Sequence, residues 1–361
     1  MAWMNIKEAL YKIPDLLFNN RFYYISEGIP ITVTGMSQKK KINLIKCGLQ
    51  KLLSSPFAFN FPPVIHVEPT NMCNLKCRLC PTGDNLITRE KGYMRKETFH
   101  RILDELGDYL ITVILYGWGE PLLHKDFPEF VRACTERNIF TTTSTNGQFI
   151  QSIDEALSLV DSGLTGINIA IDGSSEEIYK KTFRSAGEFE KIKRCASLIA
   201  EAKRIRNKKN PCTNLRIVVT HQNSDDIQNV EKLARELEAD IFTCKKLINQ
   251  SCSENFITYL PDSGINKPLN KKPLFKCIFP FREPKIFWDG TVVGCDIDYN
   301  VELPFGKIGE KKFKDIWNSP NALKLRKAVL TKKSYPDFCR RCHYMTTDQG
   351  ECFISHKKLN S

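Results

Sequence analysis

Short runs of β-branched residues alternate with longer amphipathic stretches through the middle of the chain. The apolar runs predict strands at 64–68, 112–116, 140–144, 166–171, 215–220 and 241–243. The helical periodicity between them predicts helices near 96–107, 126–137, 153–162, 188–206 and 227–237. This alternation is typical of parallel βαβ units. Residues 62–262 are therefore predicted to form an α/β fold, a partial (β/α)6 TIM-like barrel whose functional loops follow its strands.

The segments on either side of this barrel have different patterns. Residues 1–61 predict an N-terminal helical extension. One helical face of it carries the apolar residues Ile42, Ile45, Leu49, Leu52 and Leu53. We expect this face to pack onto the barrel rather than onto a membrane surface. Pro, Lys and Asn crowd residues 261–273 and indicate a linker. A hairpin around Asp289-Gly290 and a helix near 312–330 then predict a small α+β unit over residues 263–361.

Composition and charge narrow the class of protein. Hydrophobic residues make up 42% and charged residues 26%, which is the balance of a soluble globular protein. Because the sequence has neither a secretory signal nor a run of about 20 apolar residues, a cytoplasmic location is expected. The formal net charge is +12, but basic runs such as 203–209 are typical of solvated faces. A nucleic-acid partner is therefore disfavoured, whereas an anionic substrate or peripheral contact with a membrane surface stays open.

Fourteen cysteines in a chain expected in a reducing compartment argue for metal binding rather than disulfides. Cys73, Cys77 and Cys80 stand together directly after the first predicted barrel strand. Three thiolates suit three irons of a [4Fe-4S] cluster, and the fourth iron is then open to a small molecule. A closed zinc site would need a fourth ligand, and no further Cys or His lies near these three in sequence.

With its Cys-x3-Cys-x2-Cys spacing, this segment resembles the hallmark of the radical S-adenosylmethionine (SAM) superfamily. The resemblance implies that the open iron chelates the methionine part of SAM. It also implies reductive cleavage of SAM to a 5′-deoxyadenosyl radical, which abstracts a hydrogen atom from the substrate. An electron donor such as flavodoxin or ferredoxin is implied as a partner.

The resemblance extends to the loops after the second and third strands. The segment Gly117-Trp118-Gly119-Glu120-Pro121 resembles the Gly-Gly-Glu-Pro segment of the family. Its glycines let backbone approach a ligand, and Glu120 or nearby carbonyls are expected to accept from the SAM amino group. Ser144 and Asn146 follow the third strand and are expected to supply polar contacts to SAM. A helix-capping turn is the alternative for Ser144 and Thr145.

Two further residues are carried over from the family. Asp172 ends the fourth strand, but Ala170 stands where many relatives have a serine that contacts SAM. Arg184 lies in a segment, beginning at Tyr179, that resembles the one whose arginine pairs with the SAM carboxylate. A bidentate guanidinium–carboxylate pair suits that role. A surface arginine is the alternative interpretation.

A second cysteine group lies near the C-terminus. Cys277, Cys295, Cys339 and Cys342 form a four-ligand set whose spacing alone leaves iron–sulfur and zinc balanced. Placed after a radical SAM barrel, the set resembles the SPASM/Twitch class of auxiliary-cluster domains. Only Cys352 follows it, so the shorter one-cluster Twitch form is expected. The resemblance implies a second [4Fe-4S] cluster, which four thiolates would leave without an open iron and suited to electron transfer.

Asp296 and Asp298 follow Cys295 and are candidate bases, although residues at such positions more often cap a loop. The leading hypothesis is a radical SAM oxidoreductase that dehydrogenates a small polar or anionic metabolite. Its cysteine layout is similar to that of Twitch dehydrogenases of aminocyclitol antibiotic biosynthesis. One alternative is modification of a ribosomal peptide, by epimerisation or thioether formation. Another is a non-catalytic iron–sulfur or zinc scaffold that binds RNA or a protein, which would not need the segment 117–121.

Overall fold

The computed structural model describes residues 15–16, 18–184, 186–249, 258–260, 277–342 and 353–359. Its strands, in chain order, are β1 (Arg21–Ser26), β2 (Ile29–Thr34), β3 (Val64–Val67), β4 (Thr112–Leu115), β5 (Phe140–Thr145), β6 (Gly166–Ala170), β7 (Cys212–Val219), β8 (Ile241–Lys246), β9 (Lys285–Ile286), β10 (Thr291–Val293), β11 (Gly306–Lys307) and β12 (Phe353–Lys358). Its α-helices are α1 (Gln38–Leu53), α2 (Lys96–Leu106), α3 (Phe127–Thr135), α4 (Ile153–Asp161), α5 (Glu176–Lys181), α6 (Phe189–Ile205), α7 (Ile227–Glu236), α8 (Phe279–Arg282), α9 (Phe313–Trp317), α10 (Pro320–Thr331) and α11 (Asp337–Arg340). Short 3-10 helices lie at Pro121–Leu123 and Ser224–Asp226.

Six parallel strands, β3 to β8, form the centre of one large sheet and pair in the order of the chain. All six correspond to the strands predicted from the apolar runs. Strands β3, β4 and β6 are buried along their whole length, as expected for parallel strands covered by helices. Phe99 and Ile102 of α2 and Phe130 of α3 belong to the same buried cluster as Val113 and Leu115 of β4. The predicted α/β fold with a partial barrel is confirmed.

C-terminal strands extend this sheet at both edges. The strand order is β11-β10-β9-β3-β4-β5-β6-β7-β8-β12, so β9 pairs with β3 in parallel and β12 pairs with β8 antiparallel. Among the described strands, β3 and β8 do not pair with each other, and the barrel stays open. The predicted border between residues 262 and 263 lies outside the described residues. Because β9 pairs with β3 and β12 pairs with β8, backbone hydrogen bonding continues from the barrel into both ends of the predicted second unit.

The second unit follows the sequence pattern in one element and departs from it in another. The hairpin around Asp289-Gly290 is confirmed, because β9 and β10 pair antiparallel with Val292 opposite Ile286. The single helix predicted near 312–330 is instead two helices, α9 and α10. Proline lacks an N–H and is favoured in the first turn of a helix, so Pro320 starts a new one. Ser319 caps this helix by accepting from the Ala322 N–H at 3.3 Å.

The N-terminal extension is not purely helical, which corrects the prediction. Strands β1 and β2 form a hairpin whose two-residue turn, Glu27–Gly28, has positive φ at both positions. The hairpin packs at the start of the barrel strands, where Tyr24 hydrogen-bonds Thr112 and Ile29 abuts Gly166. The segment 1–14, also predicted to be helical, lies outside the described residues.

The turn of this hairpin enters the interior of the barrel. A Cβ on Gly28 would lie 3.1 Å from Asn214 and 3.4 Å from Thr243, which are inward-facing residues of β7 and β8. Glu27 forms an ion pair with Arg216 of β7 at 3.3 Å. The hairpin therefore closes the amino end of the barrel and places a carboxylate in its lumen.

Helix α1 is oriented opposite to the prediction. Ile42, Ile45, Leu49 and Leu53 are 40–66% exposed, while Asn43 and Gln50 on the other side are 3% and 4% exposed. The buried side is polar because its amides hydrogen-bond the backbone of residues 55–61. For these four residues the expectation that the apolar face packs onto the barrel is therefore wrong, and the side chain of Leu52 lies outside the described part of the chain. No helix among the described residues is both long enough and apolar enough to cross a bilayer.

We predict that Gly166→Ala lowers the free energy of unfolding by about 1–3 kcal/mol, measured by urea denaturation. The added Cβ would lie 2.6 Å from Ile29 Cγ2, so the buried hairpin or β6 must shift. In an Ile29→Ala background, which removes the three nearest atoms, the same change should cost less than about 0.5 kcal/mol. An equal cost in both backgrounds would show that the hairpin does not press on β6.

Candidate functional site

The loop after β3 holds the first three cysteines in an apolar setting. Cys77 is buried, and Leu75, Leu79 and Phe183 are in the same hydrophobic cluster. The Leu75 N–H donates to Cys73 Sγ at 3.4 Å, and the Cys80 N–H donates to the Cys77 carbonyl at 3.0 Å. Burial raises the pKa of Cys73 to about 11 and that of Cys77 to about 12. Thiolates here need a cationic partner such as iron, so the three sulfurs fit the ligand set of a SAM cluster.

The Gly117–Pro121 segment lies directly against this loop. A Cβ on Gly117 would lie 2.7 Å from Glu68 Cγ, and one on Gly119 would lie 2.3 Å from the Thr70 carbonyl oxygen. The Glu120 N–H donates to the Met72 carbonyl at 2.8 Å. Both positions therefore have to be glycine, because their backbone lies against the residues that lead from β3 into the cysteine loop. The sequence pattern alone did not supply this reason.

Glu120 connects the loop after β4 to the loop after β5. Its buried carboxylate accepts from the Thr145 hydroxyl at 2.7 Å and from the Asn146 N–H at 2.9 Å. Burial raises the pKa of Glu120 to about 7 even though these hydrogen bonds oppose the shift. This carboxylate binds the protein itself, so it positions the predicted SAM-binding segment.

The residues after β5 divide between two roles. Asn146 Nδ2 donates to Asn74 Oδ1 at 2.8 Å and lies 4.0 Å from Cys73 Sγ, which places Asn146 beside the cysteine loop. Ser144 is half-buried and pairs in register with Asn168, whose side chain contacts Asn214 of the adjacent strand β7. Thr145 accepts from the Gly147 N–H at 3.1 Å, as the capping-turn interpretation predicts.

Asp172 and Arg184 form a buried ion pair. The other oxygen of Asp172 accepts from the Val218 N–H at 2.6 Å, so this carboxylate is held between β6 and β7. Burial dominates the pKa of Cys77, but the Arg184 charge also acts on that thiol and opposes the rise. Asp172 therefore positions Arg184, and Arg184 is the residue that lies near the predicted SAM cluster.

The second cysteine group converges on one cavity. Cys277, Cys295, Cys339 and Cys342 all line it, although they come from three separate places in the C-terminal segment. Burial raises the pKa of Cys277 to about 12 and raises those of Cys295 and Cys339 further. Among the described residues, no three Cys, His, Asp or Glu side chains converge closely enough to hold one metal ion. Four thiolates are the usual ligand set of a [4Fe-4S] cluster.

The opposite wall of this cavity comes from the barrel. Glu27 of the hairpin turn, His66 of β3, Tyr116 after β4, Lys245 of β8 and Asp296 line it together with the cysteines. The space is about 850 Å³, including the part open to solvent. The sequence analysis missed Glu27 and Lys245. The Glu27-Gly28 dipeptide between two β-rich runs was a usable hairpin signal, whereas nothing local indicated that its turn would enter the barrel.

The two aspartates after Cys295 have different surroundings. Burial opposes ionisation of Asp296, but the buried Lys285 that pairs with it holds its pKa below the ordinary value. Asp298 accepts from the Glu302 N–H at 2.6 Å and the Leu303 N–H at 3.0 Å, and burial raises its pKa to about 6. Asp298 thus caps a loop. Asp296 lines the cavity, and Asp298 is not among the described residues that do.

His66 and Glu283 form a buried pair that the sequence analysis did not identify. His66 Nε2 lies 2.9 Å from Glu283 Oε1, and both side chains are less than 10% exposed. Because a carboxylate accepts, we assign the ring hydrogen to Nε2, which leaves the lone pair on Nδ1. Within the described part of the chain, Nδ1 is buried without a hydrogen-bond partner, and Asp296 Oδ2 is 4.0 Å from it. His66 therefore presents a proton acceptor beside the cavity.

A third buried pair joins the barrel to the C-terminal unit. Arg89 contacts both oxygens of Glu68, and the Trp118 N–H donates to the same carboxylate at 3.2 Å. Arg89 also donates to the Tyr299 carbonyl at 2.6 Å and lies 3.8 Å above the Phe287 ring. Trp118 Nε1 donates to the Asp296 carbonyl at 3.1 Å, so this residue contacts the auxiliary unit.

Two family models match the chain. A model of the radical SAM superfamily matches residues 67–234, and a model of an iron–sulfur cluster-binding domain, SPASM, matches residues 277–343. The first range includes Cys73, Cys77 and Cys80. The second includes all four cysteines that line the cavity. The choice between the one-cluster Twitch form and a longer SPASM form stays a prediction, because Cys352 lies outside both the matched range and the described residues.

Curated relatives match with low identity. The PqqA peptide cyclase of Rhodopseudomonas palustris is 28% identical over 194 residues, which is 53% of this chain and 48% of that protein. The chain thus spans about half the length of this relative. The tungsten-containing aldehyde ferredoxin oxidoreductase cofactor-modifying protein of Pyrococcus furiosus is 25% identical over 77% of this chain and 86% of that protein.

Solved structures share the fold. Streptococcus suis SuiB bound to SAM superposes with a TM-score of 0.59 at 18% identity, covering 86% of this chain and 77% of that one. BtrN in complex with AdoMet (SAM) and 2-DOIA superposes with a TM-score of 0.52 at 18% identity, covering 82% of this chain and 99% of that one. The likeness to these two structures is one of fold.

We predict that Arg89→Met lowers the free energy of unfolding by about 3–5 kcal/mol, because it leaves the fully buried Glu68 carboxylate unpaired. Glu68→Gln in the same chain should recover part of this loss, since an amide costs less to bury than an unpaired charge. Arg206→Met is the control. Its pair with Asp161 is exposed, so its removal should cost less than about 1 kcal/mol. Equal losses for Arg89→Met and Arg206→Met would contradict a structural role for the buried pair.

Proposed function

Since this chain belongs to the radical SAM superfamily and carries a SPASM iron–sulfur cluster-binding domain, we propose that it oxidises a small polar substrate bound between its two cluster sites. The observation that supports this proposal is that all four auxiliary cysteines share one cavity with charged residues of the barrel. When bound, the SAM cluster supplies a 5′-deoxyadenosyl radical that removes a hydrogen atom, and a four-thiolate [4Fe-4S] cluster supplies an electron acceptor.

The chain's own residues divide the work between the two sites. Cys73, Cys77 and Cys80 would hold the SAM cluster, and the other four patterned cysteines would hold the auxiliary one. Asn146 and Arg184 lie beside the first site and would bind the polar groups of SAM. Four protein thiolates leave no iron open to substrate, so the auxiliary site is suited to accepting an electron.

Oxidation of an alcohol or amine carbon removes one hydrogen atom, one proton and one electron, and it leaves a carbonyl or an imine. The first two losses need a hydrogen-atom acceptor and a base. We assign the base to His66 Nδ1, because Glu283 occupies the other ring nitrogen and Nδ1 is directed toward Asp296, which lines the same cavity. Asp296 is a weaker candidate, since Lys285 already neutralises its charge.

The charges of the cavity favour a small polar substrate. Glu27 and Asp296 are acidic, whereas Lys245 and His66 are basic or titratable, so both signs face the same space. The hairpin turn closes the amino end of the barrel beneath it, which limits the depth available to a ligand. A substrate with hydroxyl, amino or carboxylate groups would find a partner for each of them.

Peptide modification is the second candidate, and the curated relatives support it. The PqqA peptide cyclases of two organisms match at 28% and 30% identity, and by name they act on a peptide. Those alignments cover 53% and 49% of this chain. The two candidates differ in the size of the substrate that accelerates SAM cleavage.

We predict that anaerobically reconstituted protein binds about eight irons per chain and cleaves SAM to 5′-deoxyadenosine with dithionite or reduced flavodoxin. Changing Cys73, Cys77 and Cys80 to alanine should leave about four irons and abolish cleavage. Changing the four auxiliary cysteines should also leave about four irons, but cleavage should persist. A wild-type protein that binds iron yet never cleaves SAM would instead support a non-catalytic scaffold.

The substrate class is tested with the same protein. Metabolite extract below about 1 kDa should raise the rate of 5′-deoxyadenosine formation more than a peptide fraction of the same cells does, because the cavity is closed beneath and charged. Each turnover should release one 5′-deoxyadenosine and a product two mass units lighter than the substrate. Stimulation by the peptide fraction alone would favour peptide modification and reject the small-molecule proposal.

We predict that His66→Gln slows product formation by about 10²–10⁴-fold without changing iron content or substrate-free SAM cleavage. Glu283→Gln should slow it less, since it changes only the orientation and basicity of the imidazole. His100→Gln is the matched control, because His100 lies at the surface of α2. Unchanged product formation in His66→Gln would assign the proton transfer to another group.

A further inference from the structure

Helix α1 exposes an apolar stripe that the fold leaves uncovered within the described residues. Ile42, Ile45, Leu49 and Leu53 make up this α1 stripe and are 52%, 40%, 46% and 66% exposed. Their spacing of three or four residues puts them on one side of the helix, over a length of about 16 Å. Surface helices usually turn such a stripe toward the core, so this orientation calls for a partner outside the fold.

Specific hydrogen bonds fix the orientation of the helix. The Asn43 side chain donates to the Phe61 carbonyl at 3.0 Å and accepts from its N–H at 2.9 Å. Gln50 donates to the Ser55 and Phe57 carbonyls at 2.7 and 3.1 Å. Lys40 donates to the Asn138 carbonyl at 2.8 Å. Rotation of the helix to bury its apolar side would break all of these bonds, so the stripe faces outward as part of the fold.

The charge of the helix indicates what the stripe meets. The segment Gln38–Leu53 contains five lysines and no aspartate or glutamate. Lys39 and Lys46 are exposed on the same helix, and Lys39 is paired with Asp108 at 2.6 Å. Lysine side chains around an exposed apolar stripe are typical of helices that lie in the interface of an anionic membrane, with the alkyl groups buried and the ammonium groups near phosphates.

We propose that the α1 stripe binds peripherally to an anionic lipid surface. The helix packs at the amino end of the barrel, because Lys39 and Lys40 contact residues that directly precede β4 and β5. The cysteine loop follows β3, at the opposite end of the parallel strands. Membrane contact through α1 thus leaves the loop of Cys73, Cys77 and Cys80 at the end of the barrel away from the lipid, and it is independent of the substrate proposed above.

The test is co-sedimentation of the full chain with sucrose-loaded vesicles of phosphatidylcholine alone or with about 30% phosphatidylglycerol. Wild type should partition onto the anionic vesicles, and 0.5 M NaCl should weaken this binding. Ile45→Asp with Leu49→Asp should lower the partition coefficient at least about tenfold, since two charges replace the centre of the stripe. Lys39→Gln with Lys46→Gln should lower it on anionic vesicles only.

Matched controls keep the outcome interpretable. Ile205→Asp changes an isoleucine that is 53% exposed at the end of α6, and its binding should equal that of wild type. The rate of SAM cleavage should be unchanged in every variant, which shows that the protein is folded. Binding that is equal on neutral vesicles, or unaffected by Ile45→Asp with Leu49→Asp, overturns the proposal. A second result would also overturn it: the Ile45→Asp with Leu49→Asp variant is a monomer where wild type is a dimer, and its binding to vesicles is unchanged. A second copy of the chain would then cover the stripe.

Discussion

Buried charge at the junction between the barrel and the C-terminal unit is the constraint on which the rest of this structure depends. Lys285 is 1% exposed and has Asp296 as its ion-pair partner, while Glu68 is fully buried and pairs with Arg89. A buried charge without its partner costs several kcal/mol, and the pair of His66 in the barrel with Glu283 in the C-terminal unit is one that neither unit completes alone. At the same junction β9 pairs with β3, and Trp118 donates to the Asp296 carbonyl.

Trp118 also lies between the loop of the first cysteine group and the unit that holds the second group. Hydrogen bonds from Trp118 to Glu68 and to the Asp296 carbonyl hold the Gly117–Pro121 segment between the cysteine loop and the auxiliary unit. The auxiliary cysteines then open onto the barrel lumen, where His66 and Lys245 come from its first and last parallel strands. The oxidation proposed above would use the auxiliary cluster as electron acceptor and His66 as base beside this cavity.

The amino-terminal segment performs two separate tasks because its polar and apolar residues are distributed unusually. The hairpin puts Glu27 into the lumen, where Arg216 at 3.3 Å compensates its charge. Helix α1 instead uses its polar side for internal hydrogen bonds, which leaves its apolar side outward. The first arrangement completes the cavity, and the second provides a surface for lipid.

The sequence alone determined the parallel strands, the hairpin at Asp289-Gly290 and both cysteine groups, because each depends on local periodicity or short spacing. It also predicted that the segment 117–121 belongs to the site, with Glu120 or nearby carbonyls accepting from the SAM amino group, and the fold adds that the Glu120 carboxylate joins two loops. Asp298 was equally ambiguous, since its role as a loop cap depends on the N–H groups of Glu302 and Leu303.

Only the tertiary structure decided which distant residues meet. His66 and Glu283 are 217 positions apart, and Glu27 and Arg216 are 189 apart, so no local pattern could pair them. Hydrophobic periodicity likewise could not predict which way the α1 stripe faces. It locates an apolar face but does not show what that face contacts. Local sequence sets the hydrogen bonding and side-chain period of each element. The contacts between elements are set by the burial of charge and apolar surface across the whole fold.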